Sequence, residues 1–146
     1  MSDYSPIPIS SSSVAPTEIQ QPDSLSLEES KRLALTIAEA ADDRKGSDII
    51  LLNVSEVSYL ADYFVLVTGF SNVQVRAIAR SIEDKVEEDW QRYPLRTEGK
   101  AEGSWILHDY GEVIVHIFMP QERQFYNLEA FWGHAERIEY TSLANS

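Results

Sequence analysis

Residues 103–132, GSWILHDYGEVIVHIFMPQERQFYNLEAFW, decide the fold of this chain. Apolar and polar residues alternate with a period of two across 104–109 and again across 112–118, with Tyr110 and Gly111 between them, which predicts a β-hairpin turned at the glycine. Behind Pro120, a residue tolerated in the first turn of a helix, Phe125, Leu128, Phe131 and Trp132 recur at helical spacing. A hairpin therefore feeds a short amphipathic helix. Nothing in the stretch has the layout of a catalytic centre, so the question is whether its aromatic and acidic side chains face a core or a partner.

If Tyr110 and Gly111 are the two loop residues, Asp109 pairs with Glu112, His108 with Val113, Leu107 with Ile114 and Trp105 with His116. Trp105, Leu107, Asp109, Glu112, Ile114 and His116 then share one face, and Ile106, His108, Tyr110, Val113, Val115 and Ile117 the other. The two histidines point to opposite sides and cannot share a metal. The Val and Ile set is the better core face, which leaves the Trp105 face as a mixed apolar and acidic surface of the kind interfaces use. The alternative is that Trp105 packs under the final helix and Asp109 caps the turn.

Upstream, Ser71 and Gln74 form a capping-box pattern before a helix with Val75, Ile78, Ile82 and Val86 on one face and Arg80, Glu83, Asp84, Glu87 and Glu88 on a solvated one. Residues 48–54 and 63–67 are continuous apolar runs of strand length, expected to be covered on both faces. A second capping box, Ser26 and Glu29, is expected to start the first helix, which carries Leu33 and Ile37 and stops at Gly46. A short edge strand is expected at 93–97, because Pro94 cannot sit in a sheet interior, and a loop at 98–103. The order helix, strand, strand, helix, strand, hairpin, helix predicts an α/β sandwich around a mixed sheet of about five strands.

Residues 1–25 hold four of the six prolines (Pro6, Pro8, Pro16, Pro22) and a run of serines, so they read as a disordered tail before one domain over 26–140 and a short C-terminal tail over 141–146. The net charge of −12, from 24 acidic against 12 basic residues, argues for little direct RNA contact and favours a basic protein partner. With no cysteine the chain has neither a disulfide framework nor a thiolate metal site. No apolar run reaches the roughly 18 residues that cross a bilayer, and no basic, apolar signal opens the chain, so a cytoplasmic location without membrane contact is expected.

For catalysis, Ser71 or Ser104 could be grouped with His116 and Asp109, yet no nucleophile-elbow pattern surrounds either serine. The turn at Gly69 and Ser71 is a weak anion site, and Asp109 with Glu112 is a poor pair for Mg²⁺. No catalytic residue, cofactor or metal is expected.

Taken together, Gly46, Asp48 and Ile49, then Asp62, Tyr63, Phe64, Val65, Thr68, Gly69 and Ser71, then Glu98 and Gly99 give the chain a family resemblance. Trp105, Leu107, Asp109, Tyr110, Gly111 and His116 continue it, and Arg123, Phe125, Tyr126, Leu128, Glu129 and Trp132 end it. The chain resembles the ribosomal silencing factor (RsfS, or iojap-like) family. The resemblance implies a fold similar to the nucleotidyltransferase core without its metal-binding carboxylate pair. It also implies a non-catalytic factor that binds a ribosomal protein of the L-fourteen family on the large subunit, blocks joining of the small subunit and represses translation when nutrients are short. The family's contact surface falls here on Trp105 and Asp109, with Leu107 and Tyr110 as companions, and His116, on the Trp105 face, is a further expected contact. His134 stands where the family pattern has an acidic residue. A homodimer is a further expectation, and the alternative function is a nucleotidyltransferase-like, nucleotide-binding protein.

Overall fold

The two continuous apolar runs become adjacent strands, β1 (Ser47–Asn53) and β2 (Tyr63–Thr68), and every residue of β2 is buried. The structure is a computed structural model that describes residues 15–141, with side chains described from residue 26 onward. The remaining elements are α1 (Ala15–Asp43), α2 (Asn72–Trp90), β3 (Arg96–Glu98), β4 (Trp105–Asp109), β5 (Val113–Phe118), α3 (Pro120–Tyr126), α4 (Leu128–Phe131) and β6 (Glu136–Glu139). Across the sheet the strands run β3, β4, β5, β2, β1, β6. Only β2 and β5, joined through the α2 crossover, are parallel; the other pairs are antiparallel.

The mixed α/β sandwich is as expected, with six strands in place of about five. The strand the sequence did not reveal is β6, ERIE, three charged residues around Ile138 that pair with β1. Charge on an exposed edge discourages pairing with another chain, so such a strand lacks the apolar signature of an inner one. The expected strand at 93–97 begins later, at Arg96, and extends into the expected loop by Glu98. The single final helix is two short ones, because Asn127 adopts φ 47° and ψ 58°, a left-handed conformation that asparagine tolerates and that ends a helix.

Helix α1 also differs from expectation. It runs back to Ala15, so Ser26 lies inside it and its capping box does not mark the start. Pro16 falls in the first turn, where the missing N–H costs no hydrogen bond, and Pro22 leaves one rung of the ladder without a donor. This carries the helix into the segment expected as tail; residues 1–14 and 142–146 lie outside the described residues.

Two apolar layers flank the sheet. Leu33 and Ile37 of α1 with Val75, Ile78, Ile82 and Val86 of α2 pack against Leu51, Val65, Ile106, Val113, Val115 and Ile117. On the opposite face Ile50, Leu52, Phe64, Leu66, Ile114 and Phe118 are covered by Leu128 and Trp132. The central strands are therefore sealed on both sides, while β4 is left half-buried on the second face.

Candidate protein-interaction site

The hairpin between β4 and β5 turns one residue later than its alternation suggests, which moves each residue's partner along by two. Trp105 pairs with Phe118, Leu107 with His116 and Asp109 with Ile114, and the Tyr110 N–H donates to the Val113 carbonyl at 2.9 Å, so the turn residues are Gly111 and Glu112. Gly111 has φ +95° and stands first in the turn, the position that tight hairpins of this kind reserve for glycine. A slip of two residues preserves the side-chain alternation. Trp105, Leu107 and Asp109 therefore share a face with Ile114, His116 and Phe118, and His108 lies on the other side.

The tip of the hairpin is clamped from within. The Asp109 carboxylate accepts the Gly111 N–H at 2.8 Å and lies 3.6 Å from the Arg96 guanidinium. Arg92, just beyond α2, donates to both carboxylate oxygens of Glu112 at 2.7 and 2.8 Å and to the Tyr110 carbonyl at 2.6 Å. Those hydrogen bonds hold the Glu112 carboxyl below its usual pKa against the opposing effect of burial. The turn-cap role considered for Asp109 is thus present, and its second carboxylate oxygen still faces outward toward Arg96.

Trp105 sits half-buried among three rings: Tyr126 at 4.7 Å between centroids, Phe118 at 5.4 Å and His116 at 5.8 Å. Its indole N–H donates to His116 Nδ1 at 3.1 Å, which requires that nitrogen to be unprotonated. Burial favours the same neutral form and pushes the His116 pKa down to about 4. The packing of Trp105 against the helical segment and its outward face are both real, because the ring is only half covered.

Two expected contact residues belong beneath the surface instead. Tyr110 is fully buried in the helix-facing core, its ring centroid 6.2 Å from that of His108. His116 is 8% exposed, under Trp105, and supports that residue rather than reaching outward. His108 is also fully buried; its Nε2 lies 3.1 Å from the Ala79 carbonyl and 3.2 Å from Glu83, and its Nδ1 lies 2.9 Å from the Thr97 hydroxyl.

What remains at the surface is a groove of about 590 Å³ lined by Glu98, Gly99, Glu102, Ser104, Trp105, Leu107, Glu122 and Tyr126. Its outer wall is the loop after β3, held by Arg76 donating to the Lys100 and Ala101 carbonyls at 3.1 and 2.8 Å and by Asn72 donating to the Glu102 carbonyl at 2.5 Å. Gly99, at φ +89°, passes so close that an added Cβ would lie 2.0 Å from the Trp105 carbonyl oxygen. The inner wall, α3, is anchored by buried Arg123, which donates to the Asp48 carbonyl and Thr68 hydroxyl at 2.8 Å and to Glu129 at 2.7 and 3.0 Å. That anchor places Tyr126 against Trp105. Sequence reasoning did not select Tyr126, Glu102 or Glu122 as site residues. Tyr126 entered it only within the family pattern, and the two glutamates had no signal beyond charge.

The features that suggested catalysis are occupied by structural bonds. Ser71 caps α2 by accepting the Gln74 N–H at 3.0 Å, and the Gln74 side chain accepts the Phe70 N–H at 2.7 Å, so the turn at Gly69 has lost donors an anion would need. Among the described residues no group of three or more His, Asp or Glu side chains could hold a metal ion, and no helix is long and apolar enough to cross a membrane.

A family model described as "Ribosomal silencing factor during starvation" matches residues 27–146. Ribosomal silencing factor RsfS of Bacillus subtilis is 42% identical over 105 residues, covering 72% of this chain and 88% of that protein. A more distant relative, named Mitochondrial assembly of ribosomal large subunit protein 1 in Mus musculus, is 28% identical over 87 residues, 58% of this chain and 38% of that protein. The crystal structure of a protein from Chromobacterium violaceum superposes with a TM-score of 0.66 at 36% identity, covering 81% of this chain and 95% of that one.

Proposed function

The chain belongs to the ribosomal silencing factor family, and from that premise we propose that it docks its Trp105 face on a large-subunit ribosomal protein of the L-fourteen family and so keeps the small subunit from joining. Repression of translation under nutrient limitation follows from occupancy alone. A folded domain on the joining face excludes the second subunit by its volume, and no bond need be made or broken.

The observation that carries this reading is the half-exposed Trp105 ring flanked by Leu107 and Tyr126, with Asp109, Glu98, Glu102 and Glu122 around it. A large aromatic in a shallow groove with a polar rim has the anatomy of an interface anchor. The surplus of acidic residues suits a basic ribosomal protein and disfavours extended contact with RNA. The name of the mouse relative supports the choice of the large subunit. The working compartment is the one in which the ribosomes themselves lie, taken here as the cytoplasm.

Co-sedimentation with purified subunits tests the docking. The protein should pellet with large subunits, saturably and not with small ones, and Trp105→Ala should weaken that binding. Preferential pelleting with small subunits would overturn the assignment.

A further inference from the structure

We propose that the groove beside Trp105 is a guanidinium subsite, filled by an arginine side chain of the basic large-subunit partner that lies across the Trp105 and Tyr126 rings with its charged end among Glu98, Glu102 and Glu122. The inference rests on the reading that this face meets that partner and names the chemistry of the contact.

The lining of the groove combines three carboxylates, two aromatic rings and one aliphatic side chain, and contains no lysine or arginine. Two of the neighbouring cations are turned away from the groove. Lys100 turns to Glu83 at 3.2 Å, and Arg76 is bound to the carbonyls of Lys100 and Ala101. Arg96 lies 3.1 Å from Glu98 and 3.6 Å from Asp109 at the far edge. Among the described residues Glu102 and Glu122 have no ion-pair partner. Arg96 already offsets the charge of Glu98, so an entering cation is drawn chiefly by Glu102 and Glu122, whose mutual repulsion it relieves.

The rings decide which cation fits. Tyr126 is 52% exposed and its centroid is 4.7 Å from that of Trp105, so a π surface lies directly beside the carboxylates. A guanidinium is planar and weakly hydrated, stacks on such a surface and forks onto a carboxylate, whereas an ammonium is a compact and strongly hydrated point charge. Both walls are held by buried or bridging arginines, so the groove is formed before the partner arrives.

Affinity for purified large subunits, measured for the unaltered protein and two variants, tests the proposal. Glu102→Gln combined with Glu122→Gln should weaken binding by roughly 10- to 100-fold with little change in melting temperature, and should reduce its salt dependence. Glu88→Gln, which alters charge on the outer face of α2, should bind as the unaltered protein does. Equal binding by the double variant, or an equal loss in Glu88→Gln, would overturn the subsite while leaving the docking reading intact. Failure of the unaltered protein to bind large subunits would overturn both. With the isolated protein, N-acetyl-arginine amide should shift the Trp105 indole N–H resonance more than N-acetyl-lysine amide does, and the double variant should abolish the difference. Identical shifts for the two amides would refute the preference for a guanidinium.

Discussion

Replacing Trp105 by alanine separates an interface anchor from a core residue, because the structure assigns different magnitudes to the two roles. A fully buried tryptophan truncated to alanine costs about 3 to 5 kcal/mol of stability through lost burial and cavity formation. Trp105 is half-buried, its cavity would open to solvent, and its ring contacts are to Tyr126, Phe118 and His116. Partial burial together with aromatic pair terms of about 0.5 to 1.5 kcal/mol gives an expected loss of only about 1 to 2 kcal/mol. As the centre of an interface the same side chain is worth roughly 2 to 4 kcal/mol, or roughly 30- to 1,000-fold in affinity. Urea unfolding beside a binding titration with large subunits measures both. The reasoning fails if Trp105→Ala loses about 4 kcal/mol or more of stability while its folded fraction binds with unchanged affinity.

Three other outcomes follow from the same geometry. Asp109→Asn should keep the turn cap and nearly all stability, since an amide oxygen can still accept the Gly111 N–H; it should weaken binding and flatten its salt dependence, and salt-insensitive binding in both proteins would argue otherwise. His116 is neutral in the folded state, with a pKa lowered to about 4, while the unfolded chain takes up a proton near 6.5. The unfolded state therefore binds more protons between those values, so this residue's share of stability is intact above about 6.5 and declines toward pH 4 at up to about 1.4 kcal/mol per unit. Denaturation at pH 7 and pH 5 should show the decline, and His116→Gln should reduce it. Calorimetric titration with ATP and Mg²⁺ should give no micromolar binding, because Ser71 and Gln74 already use donors at the α2 start; binding that disappears in Asp109→Asn would instead favour a nucleotide site.

The parts of the fold visible in the sequence were those in which burial alone dictates composition. The runs in β1 and β2 are apolar because helices cover one face of the sheet and Leu128 and Trp132 the other. Strand β6 was invisible because an exposed edge selects charge, and the break at Asn127 was invisible because one left-handed residue leaves helical spacing on either side almost undisturbed. Alternation placed the side chains of the hairpin on the right faces with the wrong register, since a slip of two residues changes partners without exchanging faces. That Trp105 and Leu107 share the half-buried face was legible for that reason. The same alternation already put Tyr110 on the helix-facing side, where it is completely buried; its expected contact role came from the family pattern. The inner wall of the groove depends on Arg123 drawing α3 onto the sheet, a tertiary contact 75 residues from its partner Asp48 that no local spacing encodes.

Steric exclusion can be observed at the level of whole ribosomes. Purified large and small subunits are mixed under joining conditions with increasing amounts of the protein, and the products are separated by sedimentation. The joined particle should disappear in proportion to occupancy of the large subunit, with the protein migrating on that subunit, and Trp105→Ala should require roughly 30- to 1,000-fold more protein for the same effect. Undiminished joining at saturating occupancy would contradict the proposal, because a domain bound on the joining face must exclude the second subunit.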